Sequence, residues 1–533
     1  MPMRPPIPYT TLQIMRELES GTIKVPDFQR DPVWDANQVE TLLDSVLKGY
    51  PLGSFLLWKT SETLNERNPL GLPPRSATEE KMYLLDGQQR AIALYGVFRN
   101  RLIIRSGRRK IDYRAYFDLS KGIFNLYKKE DLQRRKIRLS SSQVALDEAI
   151  VVDTTGLSVE SSRELHNKLW RKRKRTQFES LDRLVRAFRE PVVSAIIVEG
   201  SDLSAASEIF VRLNEQGTPL SVVDVMVAKT YSKDPYFNLR EKLDDVNSAL
   251  APSFNLRELT ILESVAACLD NGVSEKNILN SAERLSSSWN AAIEALKKAI
   301  DFLQTSNLVP VSRFLPFDII LAPLAYFHFK NESPTGKQLK ELEKFFWRAS
   351  ASQRYIEGQN SKVAEDIKSM DRIINNELAP RFDTYNVTKT LIQEQELSFG
   401  SSFCKTILCL YSTFSPVDIR NNQRLLLPEC FAEANARQIH HVFSKGYLES
   451  LSDRRSYKTK IEPFINSVAN VCLITALSNR IVGKKKPSVY LAELGNSDLK
   501  SALKTHLITA KSYQSLMEDD FESFILNRTN RIY

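Results

Sequence analysis

Two groups of residues in this chain have the types and spacing to do chemistry. The first is a histidine pair, His440 and His441, in a chain that holds only five histidines. Asn470 follows His441 by 29 positions, and Asn479 lies nine further on. Neighbouring side chains on an extended strand point to opposite sides. With a bend at the pair, one imidazole can hold a metal while the other faces a water. That division of labour suits phosphodiester hydrolysis: the metal takes charge from the scissile phosphate, and a neutral imidazole, of ordinary pKa about 6.5, takes the proton of the attacking water.

The second group is Asp86-Gly87-Gln88-Gln89-Arg90, inside MYLLDGQQRAIALYGVF. Met82 to Leu85 reads as a strand and Asp86-Gly87 as a turn. Ala91, Leu94, Tyr95 and Phe98 then fall on one face of a helix. A helix N-terminus offers backbone N–H groups and the positive end of a dipole to an anion. Gly87 lets backbone approach a ligand, Arg90 can fork onto a phosphate, and Gln88 and Gln89 can orient a ligand or a water. An Asp-Gly turn before a helix has an equally simple reading as a turn and nothing more.

The elements that must carry these groups are legible nearby. Asp35 is placed to cap a helix with an apolar stripe at Val39, Leu42, Leu43, Val46 and Leu47, which Gly49 can end. Ser54–Trp58, Tyr113–Leu119 and Val192–Val198 read as strands. Ser221 and Asp224 have capping-box spacing. From about Tyr236 to Leu397 the pattern is helical. The stretch around His440 gives way to a polar segment, the strand NVCLIT opened by Asn470, and then SNRIVGKKKP, where a helix can present Asn479.

Composition sets the wider bounds. The chain has 533 residues, 42% of them hydrophobic, with 74 Lys and Arg against 64 Asp and Glu, a net charge of +10. These are globular proportions, and the basic excess favours a polyanionic partner, nucleic acid first. Five cysteines without paired CxxC spacing argue against a four-cysteine zinc site and fit a reducing compartment. No apolar run reaches the ~20 residues that span a bilayer and the N-terminus has no apolar signal region, so a cytoplasmic location with no membrane contact is expected. Arg171, Lys172, Arg173, Lys174 and Arg175 follow Trp170 as a basic run, either a solvated charge cluster or a contact to backbone phosphates. Around Trp347, Arg348, Arg354 and Tyr355 an aromatic-basic mixture reads first as helix packing.

Three ordered segments also carry a resemblance. Gln29-Arg30 with Trp34, then Asp86–Arg90, then FVRLNEQGTPLS from Phe210 to Ser221 resemble the N-terminal domain of GmrSD-type modification-dependent restriction enzymes, which is related to the ParB N-terminal nucleotide-binding fold. The resemblance implies binding or hydrolysis of a nucleoside triphosphate (GTP, ATP or CTP) and a part in sensing modified DNA. It places a pocket at Gln29, Arg30, Asp86, Gly87, Gln88, Gln89 and Arg90, completed by Asn214, Gly217 and Thr218. No GxxxxGK[ST] phosphate loop is present.

The segment QIHHVFSKGYL, with NVCLITALSNRIVGKKKPSVYL after it, resembles the ββα-metal (HNH) nuclease domain. By position, the resemblance makes His441 the general base, His440 a metal ligand, Asn470 the residue that orients the base, Asn479 the last metal-side residue, and Lys484, Lys485 and Lys486 contacts to DNA phosphates. Ser444 stands where that family usually has proline. The thin ligand set suits Mg²⁺ or Mn²⁺, which accept water and phosphate oxygens.

The expectation is thus an α+β multidomain protein. Residues 1–235 form a ParB-like α/β nucleotide-binding sensor, 236–400 an α-helical middle domain, and 401–533 an HNH-like nuclease domain. The expected function is a nucleotide-regulated, modification-dependent DNA endonuclease in anti-phage defence, acting as a possible homodimer. The alternative is a nuclease-inactive, ParB-like, nucleotide-switched DNA-binding protein.

Overall fold

A computed structural model describes residues 5–26, 29, 32–61, 66–68, 70–71, 81–99, 102–104, 110–126, 151–152, 166–167, 169–171, 174–200, 221–234, 236–382, 387–427, 439–453 and 455–533. The chain forms two compact units, Met1–Phe237 and Asn238–Tyr533. The expected helical middle and C-terminal segments both lie within the second.

The first unit is built on a six-stranded mixed sheet in the order β1-β11-β3-β5-β2-β4. Its strands are β1 (Ile7–Thr10), β2 (Ile23–Pro26), β3 (Ser54–Thr60), β4 (Glu66–Arg67), β5 (Lys81–Asp86) and β11 (Pro191–Glu199). The central strands β3 and β5 run antiparallel, with Leu57 opposite Leu84 and Trp58 opposite Tyr83. Phe55 to Trp58 are buried without alternation, the pattern of a strand covered on both faces. Helices α1 (Thr11–Ser20), α2 (Ala36–Lys48), α3 (Gln88–Phe98) and α4 (Arg175–Arg189) share a core with one face of this sheet. Helix α2 starts in a reciprocal Asp35–Gln38 capping box and ends at Gly49 in the left-handed conformation, as its sequence predicts. Short strands β6 (Leu102–Ile104) with β7 (Lys110–Asp112), and β8 (Ala115–Asp118) with β9 (Ile123–Leu126) and β10 (Val151–Val152), form two small sheets. Helix α5 (Val222–Lys233) closes the unit and opens on the expected Ser221–Asp224 capping box.

The second unit is mostly helical. Helices α6 (Leu239–Leu250), α7 (Glu258–Asp270), α8 (Glu275–Ser281), α9 (Leu285–Thr305), α10 (Leu321–Lys330), α11 (Gly336–Ala351), α12 (Gln359–Ile374), α13 (Lys389–Glu394) and α14 (Ser402–Thr413) come first. The aromatic-basic stretch at 345–359 has a structural role. Arg354 pairs with buried Asp366 at 2.8 Å and Tyr355 donates to the same carboxylate at 2.7 Å, while Arg348 donates to the Ala379 and Pro380 carbonyls.

Among the described residues, the unit then pairs β12 (Ile439–His441) against β13 (Val471–Leu473) in a two-stranded antiparallel hairpin. Short helices surround it: α15 (Lys445–Glu449), α16 (Ala476–Val482), α17 (Pro487–Glu493), α18 (Leu499–Lys504), α19 (Ala510–Met517) and α20 (Phe521–Ile532). Among the described residues, no helix is long and apolar enough to cross a membrane.

Candidate functional site

The β12–β13 hairpin sets His440 opposite Cys472 and His441 opposite Val471 in an antiparallel register. Asn470, fully buried, stands at the entrance to β13 and fastens the turn that follows His441. Its backbone carbonyl accepts from Val442 N at 2.7 Å, and its side-chain oxygen accepts from Phe443 N at 2.9 Å. The Asn470 amide nitrogen donates to the carbonyls of Phe443 at 3.1 Å and Ile465 at 2.9 Å. Asn470 therefore fixes the backbone on both sides of the site. The side chain that hydrogen-bonds the His441 ring is Asn466.

His441 is partly buried, and its Nε2 has no hydrogen-bond partner among the described residues. Burial pushes the His441 pKa below the usual histidine value, Asn466 works in the opposite direction, and the Lys445 ammonium adds to the lowering. A depressed pKa keeps the ring neutral, the form a general base needs.

Asn479 lies in the first turn of α16, which begins two residues beyond β13's neighbour Ile474. That helix is held at its start by Asp418. The Asp418 carboxylate accepts from Thr475 N at 3.1 Å, from the Thr475 hydroxyl at 2.5 Å and from the Ser478 hydroxyl at 2.7 and 2.8 Å. These bonds outweigh burial and lower the Asp418 pKa.

Behind the hairpin lies Arg528 of α20, wholly buried. It donates to the carbonyls of Ala469 at 2.9 Å and His506 at 3.0 Å and lies over the Tyr411 ring. From the same helix Phe521 and Phe524 pack on Phe443.

As to metal, the described residues hold no cluster of three or more His, Cys, Asp or Glu. His440 and Asn479 are neutral donors. Such a set fits a hard divalent cation whose shell is completed by phosphate oxygens and water, and does not fit a protein-enclosed metal centre.

The other predicted residues are placed as follows. Asp86 ends β5 and Gly87 caps α3 in the left-handed conformation, at φ 95°. A side chain on Gly87 would collide with the Phe55 ring. Gln29 is buried and donates to the carbonyls of Leu84 at 2.9 Å and Leu85 at 2.8 Å, and Gln89 accepts from Val33 N at 2.8 Å. Gln88 is buried as well. Arg90 donates to the Leu52 and Ser54 carbonyls and pairs with Asp86 at 3.1 Å. The motif thus ties β5, α3, the entry to β3, Gln29 and Val33 into one knot. The Asp86 carboxylate remains the most open of its charged groups, at 39% exposure. Arg30, Asn214, Gly217, Thr218, Lys172 and Arg173 lie outside the described residues. Arg171 and Arg175 are exposed, as is Trp170, and Arg175 pairs with Glu179 at 3.1 Å; Lys174 is half-buried. Lys485 is ion-paired with Glu493, and Lys486 with Asp519 at 2.8 Å.

The fold of the first unit and its DGQQR knot can now be set beside known proteins. Residues 12–231 match the GmrSD restriction endonuclease N-terminal domain. The matched stretch runs from α1 to α5, taking in strands β2 to β11 and the whole DGQQR motif. Over 96% of its length the chain is also 23% identical to the uncharacterized protein MJ0686 of Methanocaldococcus jannaschii, of which it covers 93%.

Sequence reasoning missed Asn466, Asp418 and Arg528. Arg528 had a signal: it interrupts the apolar face made by Phe521, Phe524, Ile525 and Ile532, where a charged residue must have a buried partner.

Proposed function

We propose that the chain is a nucleotide-regulated, modification-dependent DNA endonuclease whose cutting site is the His440–His441 hairpin. The observation that carries this reading is that pairing: β12 against β13 puts the histidine pair beside Asn470, with a base-type nitrogen of His441 unpartnered and its ring depressed in pKa. His441 would take the proton of the attacking water at Nε2. Asn466 acts on the ring and Asn470 holds the backbone that follows it. His440 and Asn479 would hold Mg²⁺ or Mn²⁺, which when bound there neutralises charge on the scissile phosphate. The GmrSD match supports the sensing half, with a nucleoside triphosphate (GTP, ATP or CTP) bound near Asp86 and the start of α3, where a helix N-terminus favours phosphate. A double-strand break by single-cation sites calls for two copies acting together.

The test is cleavage of modified phage DNA and unmodified plasmid by wild type and His441→Ala, with Mn²⁺ or Mg²⁺, with and without each nucleotide. Cleavage confined to modified DNA, dependent on one nucleotide and absent in His441→Ala, is expected. Nucleotide-dependent DNA binding with no cut under any condition would overturn it in favour of a ParB-like, nuclease-inactive DNA-binding protein.

A further inference from the structure

The three consecutive lysines at 484–486 are not equivalent. Lys485 and Lys486 each face a carboxylate of the chain itself, Glu493 and Asp519. Asp519 is in turn fixed to the start of α17, accepting from Ser488 N at 2.9 Å and the Ser488 hydroxyl at 2.7 Å. Lys484 is exposed and has no carboxylate partner among the described residues. What Lys484 has is a seat. A Cβ built on Gly446 would fall 2.7 Å from Lys484 Cγ and 3.0 Å from its Cδ, so its methylene stem lies across the place a side chain would occupy at Gly446. Gly446 is the second residue of α15, five positions after His441.

Ser444 fastens the same two segments. It is buried, it caps α15 by accepting from Tyr447 N at 3.3 Å, and its hydroxyl donates to the Lys485 carbonyl at 3.0 Å. A proline at 444 would supply neither bond, since it has no hydroxyl. Tyr490 adds a third tie, donating to the Val442 carbonyl at 2.8 Å. The lysine loop and the turn after His441 are thereby tied into one piece, and Lys484 carries its ammonium there without a carboxylate partner among the described residues.

We infer that Lys484 is the phosphate-contacting member of the lysine run, and that Gly446 and Ser444 are the positioning residues that seat it beside the His441 turn. The ligand is a DNA backbone phosphate flanking the bond to be cut. This inference rests on the nuclease reading and narrows it from three lysines to one. Phosphate contacts set the register of a protein on a duplex, so a cation rigidly coupled to the base would align the scissile bond with His441.

The test is equilibrium binding of a short fluorescein-labelled DNA duplex to the full chain, in Ca²⁺ without Mg²⁺ or Mn²⁺, across about 50 to 200 mM salt. The slope of log affinity against log salt falls by about 0.9 for each phosphate that is no longer neutralised. Lys484→Ala is expected to weaken binding and flatten the slope by about that amount. Lys485→Ala and Lys486→Ala are expected to keep the wild-type slope. Gly446→Ala is expected to match Lys484→Ala, although alanine is the better helix former and the melting temperature should not drop. Ser444→Ala should weaken binding and Ser444→Thr, which keeps the hydroxyl, should restore it. A wild-type slope in Lys484→Ala or in Gly446→Ala overturns the assignment while leaving the nuclease reading in place. A wild type that binds neither unmodified nor phage-modified duplex, with or without GTP, ATP or CTP, overturns the nuclease reading itself.

Discussion

Replacing Asn470 by alanine is the perturbation with the most direct structural consequence. Three buried backbone groups are stripped of their partner at once: Phe443 N–H, the Phe443 carbonyl and the Ile465 carbonyl. Phe443 and Ile465 are both in the core, so water does not replace the amide. A buried backbone group left unsatisfied costs about 1–3 kcal/mol. The carbonyls keep a second lone pair, which argues for the low end, about 1–2 kcal/mol each. The expected loss is therefore roughly 3–7 kcal/mol, against a typical domain stability of about 5–15 kcal/mol. At about 2 °C per kcal/mol for a unit of this size, the melting transition of Asn238–Tyr533 should fall by about 6–14 °C. Scanning calorimetry with urea unfolding reads this directly. His441→Ala is the control, because its ring is partly exposed and its Nε2 unpartnered, and it should melt close to wild type. A melting temperature for Asn470→Ala within about 2 °C of wild type, together with abolished DNA cleavage, would refute the staple and return Asn470 to a role on the ring of His441.

Three further outcomes follow from the packing. His328 is buried between Phe302 and Phe327 with neither ring nitrogen hydrogen-bonded, and burial lowers its pKa to about 4. Its folded pKa is depressed, so its contribution is present above pH 6.5 and is lost as pH falls toward 4, about 3 kcal/mol in full. Glu263, raised to about 7 by burial, acts in the opposite sense, so the quantity to measure is the difference between wild type and His328→Phe, whose stability gap should widen as pH drops across that window. Arg90→Lys should destabilise the first unit by about 1–3 kcal/mol with no nucleotide present, because an ammonium cannot fork onto the Leu52 and Ser54 carbonyls; an unchanged urea midpoint would contradict the knot. Arg528→Lys should cost the second unit a similar amount, about 1–3 kcal/mol, since lysine reaches only one of the Ala469 and His506 carbonyls, and calorimetry decides it.

The legible parts of this protein were local. The Asp35 and Ser221 caps, the Gly49 stop, the strands at Ser54, Met82 and Val192 and the helix after Asp86 are each written in a few adjacent residues, and each formed where its pattern points. The histidine pair, Asn470 and Asn479 could be picked out by type and spacing. What sequence could not give was which polar atom meets which. Arg90 looks like a phosphate fork and is found holding carbonyls 36 and 38 positions away. Asn470 looks like the partner of His441, yet its amide reaches Phe443 and Ile465 while Asn466 reaches the ring. Side-chain amides and guanidinium groups bond whatever the tertiary fold brings near, and no periodicity encodes that. Ser444 is the same lesson in reverse: in place of proline it supplies a cap and a cross-link that a proline cannot.

Arg528 reaches the Ala469 carbonyl across 59 positions of chain. In vectorial synthesis that separation becomes an order of events. When His440, His441, Asn470 and Asn479 have all left the ribosome, the hairpin still lacks the guanidinium behind it and the Phe521 and Phe524 rings on Phe443. A chain interrupted before α20 carries every candidate cutting residue and lacks the Arg528 and aromatic support behind the hairpin. If the hairpin cuts DNA as proposed, translation products that stop before α20 would then cut less well than the full chain.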